Sequence, residues 1–175
     1  MGVLSEPTMP AFEANLGLAQ RVAVDAAQAA GALLGGRTHG ELGLRGKGPS
    51  GDVVTDLDIS AEQLILSRIR AAFPEHRIIA EEAGTLGAED SAWTWLVDPL
   101  DGTNNLAVAL PAYVIGIALC RDRIPVLGVV HDPITGGTWQ ARRGAGAYGP
   151  DQRALRPPLR THPAGLLLAW TQGYS

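Results

Sequence analysis

The order of hydrophobic periods along the chain restricts its fold more than any other feature. Two stretches with helical spacing come first, and the remainder has the short, turn-bounded character of strands. Over residues 11–34, apolar side chains recur at Phe12, Leu16, Ala19, Ala23, Ala27, Ala30 and Leu34, one face of a helix that Gly35-Gly36 ends. Over 59–73, Ala61, Leu64, Ile65, Ile69, Ala72 and Phe73 repeat that spacing up to Pro74. Asp58 or Ser60 is the expected cap of this second helix, with Gln63 completing a capping box for Ser60. The period then changes, and 77–80, 93–97, 114–120, 124–130 and 138–142 read as strands. Helices followed by strands predict an α+β chain, with the helices packed on one face of a largely antiparallel sheet. The links 121–123 and 132–137 are short enough for hairpins. The glycine-rich stretch 40–51 is expected as a loop or irregular hairpin carrying Lys47. No internal repeat appears, Pro157-Pro158 is the one hint of a linker, and 175 residues fit a single domain, 1–175.

Composition narrows the function classes. Acidic residues outnumber basic ones, 18 to 14, and the basic residues are scattered, so no nucleic-acid surface is expected and an anionic ligand has to be held locally. No signal sequence or membrane span is legible, so the expected location is cytoplasmic, with no membrane partner. The lone cysteine, Cys120, lies in an apolar run and reads as a small buried hydrophobe. His39, His76, His131 and His162 are too dispersed for a zinc site, and Trp93, Trp95 and Trp139 read as core anchors.

The chemistry lies in carboxylates at predicted strand ends. Glu81-Glu82 follows one strand, and Asp98-Pro99-Leu100-Asp101-Gly102-Thr103 follows the next. Carboxylates gathered together repel unless protons or cations intervene, and hard divalent cations take carboxylate, carbonyl and water oxygens. Pro99 and Gly102 fit a tight bend that aims Asp98, Asp101 and the Leu100 carbonyl at one point. Gly102 and Thr103 then open a short helix whose unpaired N–H groups suit a phosphate. Taken singly, each has a plainer reading: Asp58 as an N-cap, Glu81-Glu82 as a solvated strand end, Lys47 as a surface lysine, Thr103 as a cap and Asp-Pro-Leu-Asp-Gly as a surface turn.

Taken together, four segments in order resemble the inositol monophosphatase family: Asp52-Val53-Val54-Thr55-Asp56-Leu57-Asp58, Ala80-Glu81-Glu82, Trp95-Leu96-Val97-Asp98-Pro99-Leu100-Asp101-Gly102-Thr103-Asn104-Asn105 and Gly128-Val129-Val130-His131-Asp132-Pro133. A weaker fifth, Ala141-Arg142-Arg143-Gly144-Ala145-Gly146-Ala147-Tyr148, looks like that family's glycine-bearing hairpin. The resemblance implies magnesium-dependent hydrolysis of a sugar or polyol phosphate monoester. It implies Mg2+ as cofactor, two or three ions in the family and fewer here. Glu81, Asp98 and the Leu100 carbonyl would bind a first magnesium, and Asp98 and Asp101 would reach a second. Thr103 would hold the nucleophilic water, with Asp58 accepting from its hydroxyl and Glu81 nearby. Gly102 and Thr103 would offer N–H groups to the phosphate, and Lys47 would add positive charge.

The same resemblance carries a departure. Relatives run on into a second α/β layer that supplies a further aspartate from a Trp-Asp motif, and no Trp here is followed by Asp. The tail 166–175 resembles the strand entering that layer. The chain thus reads as the first half of an αβαβα layered sandwich with the C-terminal layer mostly missing. The alternative function is a catalytically impaired metal- or phosphate-binding remnant, or half of a split enzyme needing a second chain. An uncovered apolar face, with 166–169 contributing, would lead to a homodimer or larger assembly.

Overall fold

In the computed structural model the described residues are 9–35, 45–47, 52–54, 56–107 and 110–156, with side chains described over 15–35, 56–106 and 110–156. Helix α1 (Met9–Leu34) is followed by strands β1 (Arg45–Lys47) and β2 (Asp52–Val54), then helix α2 (Asp56–Ala72). Next come β3 (Arg77–Ala80), β4 (Gly84–Leu86), β5 (Trp93–Asp101), the short helix α3 (Thr103–Ala107), β6 (Val114–Arg121), β7 (Ile124–His131), β8 (Thr138–Arg142) and β9 (Gly146–Tyr148). The seven-stranded sheet has the order β4-β3-β5-β6-β7-β8-β9, and all its neighbours are antiparallel except the pair β3 and β5. The architecture is therefore the α+β one expected, with a single parallel pair within it. Strands β1 and β2 form a separate antiparallel pair in which Lys47 lies opposite Asp52, and the rest of the stretch expected as a loop or irregular hairpin, 40–44 and 48–51, lies outside the described residues.

Strand alternation explains the two faces of the sheet. The registers align Ile78, Trp95, Leu119 and Leu127 in one row and Ala80, Val97, Ile117 and Val129 in the next, and all eight are buried. Helix α2 packs beside them on β5, and α1 packs on β6, β7 and β8. Along α1 runs a buried stripe of small residues, Ala19, Ala23, Ala26, Ala27 and Ala30, which permits close approach. Closeness extends to Gly31, where a Cβ would come within 2.3 Å of Nε2 of the buried His131. On the opposite face the intervening row Ile79, Leu96, Ala118 and Gly128 lines an open trough of about 450 Å3 that ends at Glu81 and Asp98. Ile79, Leu96 and Val130 remain 38–42% exposed there.

Several expectations need correction. Helix α2 begins at Asp56, so Asp58 lies inside its first turn and points into the core at 2% exposure instead of capping it. Ser60 donates its hydroxyl to the Asp56 carbonyl at 2.7 Å, an interior back-bond and not a cap. Acidic residues suit this first turn because the helix dipole is positive there. Trp139 is 37% exposed because alternation along β8 turns Thr138 inward. The reading of 166–169 as a strand and that of Pro157-Pro158 as a linker lie outside the described residues. The hairpins at 121–123, 132–137 and 141–148 are as expected, and Cys120 is buried. Among the described residues no helix is long and apolar enough to cross a membrane.

Candidate metal and phosphate site

Parallel pairing of β3 and β5 brings the two acidic motifs together. Ala80 lies beside Val97, and the Glu81 N–H donates to the Val97 carbonyl at 3.2 Å, continuing the ladder to the point where Glu81 stands next to Asp98. Strand β5 then does more than turn. It runs on through Asp101, which pairs with Val114, and shifts register between Asp98 and Asp101. The tight bend expected from Pro99 and Gly102 is thus an irregular strand end. Pro99 has no N–H for the ladder, and the Leu100 N–H donates to Asp98 Oδ1 at 3.1 Å instead of to the neighbouring strand. The Leu100 side chain is buried, and its carbonyl lies 2.9 Å from the Thr103 hydroxyl.

Gly102 closes this segment at φ 103°, a conformation costly for any residue with a Cβ. Space excludes one as well, since a Cβ would meet the Ala112 carbonyl at 2.7 Å. Helix α3 starts at Thr103 as expected, with the Gly102 carbonyl accepting from Asn105 and Leu106 N–H groups. The Thr103 hydroxyl lies 2.9 Å from Asp58 Oδ1 and 2.9 Å from the Leu100 carbonyl. It has one proton to donate, so these two acceptors compete for it.

The electrostatics of this cluster are in conflict. Burial, then repulsion by Glu81 and a hydrogen bond shared with it, then repulsion by Asp101, push the Asp98 carboxyl up to about 7, with only the Leu100 N–H acting the other way. A proton held between Asp98 and Glu81 relieves the repulsion, and a cation would relieve it without one. Among the described residues no three carboxylate, imidazole or thiol side chains are gathered closely enough to hold an ion unaided. A cation here would draw on main-chain, water or ligand oxygen too. The donors near at hand, two carboxyl groups, a peripheral Asp101 and the Leu100 carbonyl, are all oxygen, which suits a hard ion such as Mg2+.

The structure therefore brings together Asp58, Glu81, Asp98, Leu100, Asp101, Gly102 and Thr103. Lys47 is placed by its backbone alone, in β1. One participant escaped the sequence reading. Glu62, on α2 one turn after Asp58, is 2% exposed and accepts the N–H groups of Glu82 and Ala83 at 2.7 and 2.8 Å. Its signal was a charged residue on the face that Leu57, Ala61, Ile65 and Ile69 bury.

The inositol monophosphatase family matches residues 18–168. The chain belongs to that family. It is 39% identical over 126 residues to an inositol-1-monophosphatase of Synechocystis, covering 72% of this chain and 44% of that protein. It is likewise 39% identical over 111 residues to the Nus factor SuhB of Vibrio cholerae, covering 63% of this chain and 42% of the relative. The chain thus spans under half the length of these relatives. Among solved structures, an inositol monophosphatase from Anabaena superposes with a TM-score of 0.69 at 36% identity, over 81% of this chain and 50% of that one. An IMPase/NADP phosphatase complexed with Mg2+ and phosphate superposes at 0.58 and 31% identity, over 62% of this chain and 42% of that one.

Proposed function

We propose that this chain provides the metal and phosphate site of a magnesium-dependent phosphomonoesterase acting on a small sugar or polyol phosphate of the inositol type. The observation that carries the reading is the Asp98 carboxyl, held in repulsion with Glu81 and Asp101 beside the Asp58, Thr103 and Leu100 contacts. Family membership and a solved relative holding Mg2+ and phosphate support it. Glu81, Asp98 and the Leu100 carbonyl are the proposed ligands of one ion, with Asp98 and Asp101 reaching a second. Such ions supply charge neutralisation on the phosphoryl oxygens and activation of water at neutral pH.

The chain's own residues orient the reaction. When the Leu100 carbonyl is engaged elsewhere, the Thr103 proton goes to Asp58, which leaves the Thr103 oxygen to accept from a water and aim it at phosphorus. The water oxygen bonds to phosphorus and its proton passes to a carboxylate, Glu81 in this reading, while the bond to the alcohol oxygen breaks and that oxygen takes up a proton from solvent water. Main-chain N–H groups at Gly102 and Thr103 and the charge of Lys47 serve the phosphate. The Nus-factor name of some relatives does not decide the partner here; with 18 acidic against 14 basic residues, the proposed partner is a small phosphorylated molecule and not a nucleic acid.

The test is phosphate release from a panel of sugar and inositol monophosphates with Mg2+, using Asp98→Asn as control. Magnesium-dependent turnover that the variant loses is the expected result. Binding of Mg2+ by folded protein without turnover would identify the impaired, metal-binding alternative instead.

A further inference from the structure

We propose that Glu62 is a positioning residue, which ties the turn after β3 to α2 and so sets Glu81 against Asp98. The inference rests on the reading of Glu81 as a metal ligand. Taking a carboxylate out of water is expensive unless its oxygens are satisfied, and Glu62 is 2% exposed among Ala61, Ile65 and Leu66. Each of its oxygens accepts one main-chain N–H: Oε2 from Glu82 and Oε1 from Ala83, 20 and 21 residues further on. Those two N–H groups belong to the turn that begins at Glu81 and returns the chain into β4. A two-pronged bond of this kind fixes orientation as well as distance.

One turn earlier on the same buried face, Asp58 accepts from Thr103, which follows β5. A single rigid helix thus holds both flanks of the carboxylate cluster: Asp58 the segment after β5, Glu62 the segment after β3. Neither Glu81 nor Asp98 has to be moved toward the other when a cation arrives. Ligand positions set in advance raise affinity, and outer supporting groups commonly carry roughly ten- to a hundredfold of it.

The experiment is titration calorimetry of the full chain with Mg2+ alone, in wild type, Glu62→Gln and Glu62→Asp, paired with amide hydrogen exchange. Glu62→Gln turns an N–H donor toward one of the two backbone N–H groups, and Glu62→Asp keeps the charge but withdraws it by one methylene. Both variants are expected to bind Mg2+ roughly tenfold or more weakly. Exchange at Glu82 and Ala83 should accelerate, while α1 amides keep their protection. Unchanged affinity in Glu62→Gln overturns the proposal. Wild-type affinity in Glu62→Asp overturns it too, since the effect would then be one of charge and not of position; this variant also decides the matter if Glu62→Gln does not fold. Equal loss of protection in α1 would show a general structural role and overturn it. If wild type binds no Mg2+, the proposed function fails; the anchor is then decided by exchange at Glu82 and Ala83, where acceleration sustains it and unchanged protection overturns it.

Discussion

The paired strands β3 and β5 have a titratable group drawn out of water at each end, and the two ends treat it in opposite ways. At the entry to β3, His76 stacks on Phe73 at 4.8 Å and on Trp93 at 5.5 Å between ring centroids. Its Nδ1 accepts from Trp95 Nε1 at 3.1 Å, which requires that nitrogen to be unprotonated. Burial lowers its pKa to about 4, so at neutral pH the ring is in the form its surroundings accommodate. At the far end Asp98 is placed beside Glu81 and Asp101, and burial followed by their repulsion raises its carboxyl to about 7. Stability is concentrated where polar groups are satisfied, and binding capacity where they are not. A satisfied site has little to gain from a ligand, whereas a frustrated one gains whatever repulsion the ligand removes.

That contrast breaks most visibly under substitution. Asp98→Asn should lower magnesium-dependent phosphate release by roughly 10³-fold, about 4 kcal/mol of barrier. Its melting temperature in EDTA should be no lower than that of wild type, because a like charge has been removed. Clear destabilisation of the metal-free variant would show that Asp98 is structural and the contrast mistaken. Trp95→Ala should behave inversely, costing about 3–5 kcal/mol in a urea titration, since it empties a fully buried site and removes the His76 bond. Magnesium affinity measured well below its melting point should stay near the wild-type value.

Gly102→Ala addresses the frustrated end through its backbone. The positive φ and the approach of the Ala112 carbonyl should together cost about 1–3 kcal/mol and displace Thr103, so activity should fall more than stability. Wild-type activity would mean that the Thr103 position is not set by this turn.

The smallest effects are those of pH, and their signs differ. Between about 4 and 7 folded Asp98 holds a proton that the unfolded chain, with its ordinary value of 3.8, has released. Its contribution is therefore fully present at low pH and is lost as pH rises through about 7. His76 is the reverse: between 6.5 and about 4 the unfolded chain takes up a proton that the folded ring refuses. Its contribution is complete above 6.5 and is lost as pH falls toward 4. In EDTA the melting temperature should accordingly fall between about pH 6.5 and 8. Saturating Mg2+ should remove that fall, and Asp98→Asn should remove it without metal. A melting temperature that is flat in EDTA over this range would show that the carboxylates are not in conflict.

Much of this was legible along the chain because it is local. The helical period of 11–34 needed no partner to be read, and α1 spans Met9–Leu34. The alternation and turn residues of 138–142 place β8 at Thr138–Arg142. Residue type alone singled out the carboxylates Glu81, Asp98 and Asp101 as oxygen donors at strand ends, while only the resemblance to the inositol monophosphatase family joined Asp58 and Thr103 to them. The parts outside the reach of sequence were set by contacts between distant segments. A cap and a buried acid look alike in one dimension; only the resemblance paired Asp58 with Thr103, 45 residues away, and the docking of α2 beside β5 brings the two together. Glu62 resembled one more charge on a helix until the turn after β3 presented two N–H groups to it. Residue type limits which side chains can offer oxygen to a hard cation, and that limit is readable along the chain. Tertiary structure decided which stand in conflict and which are satisfied, because burial and like-charge repulsion depend on distances that only the parallel pairing of β3 with β5 and the docking of α2 establish.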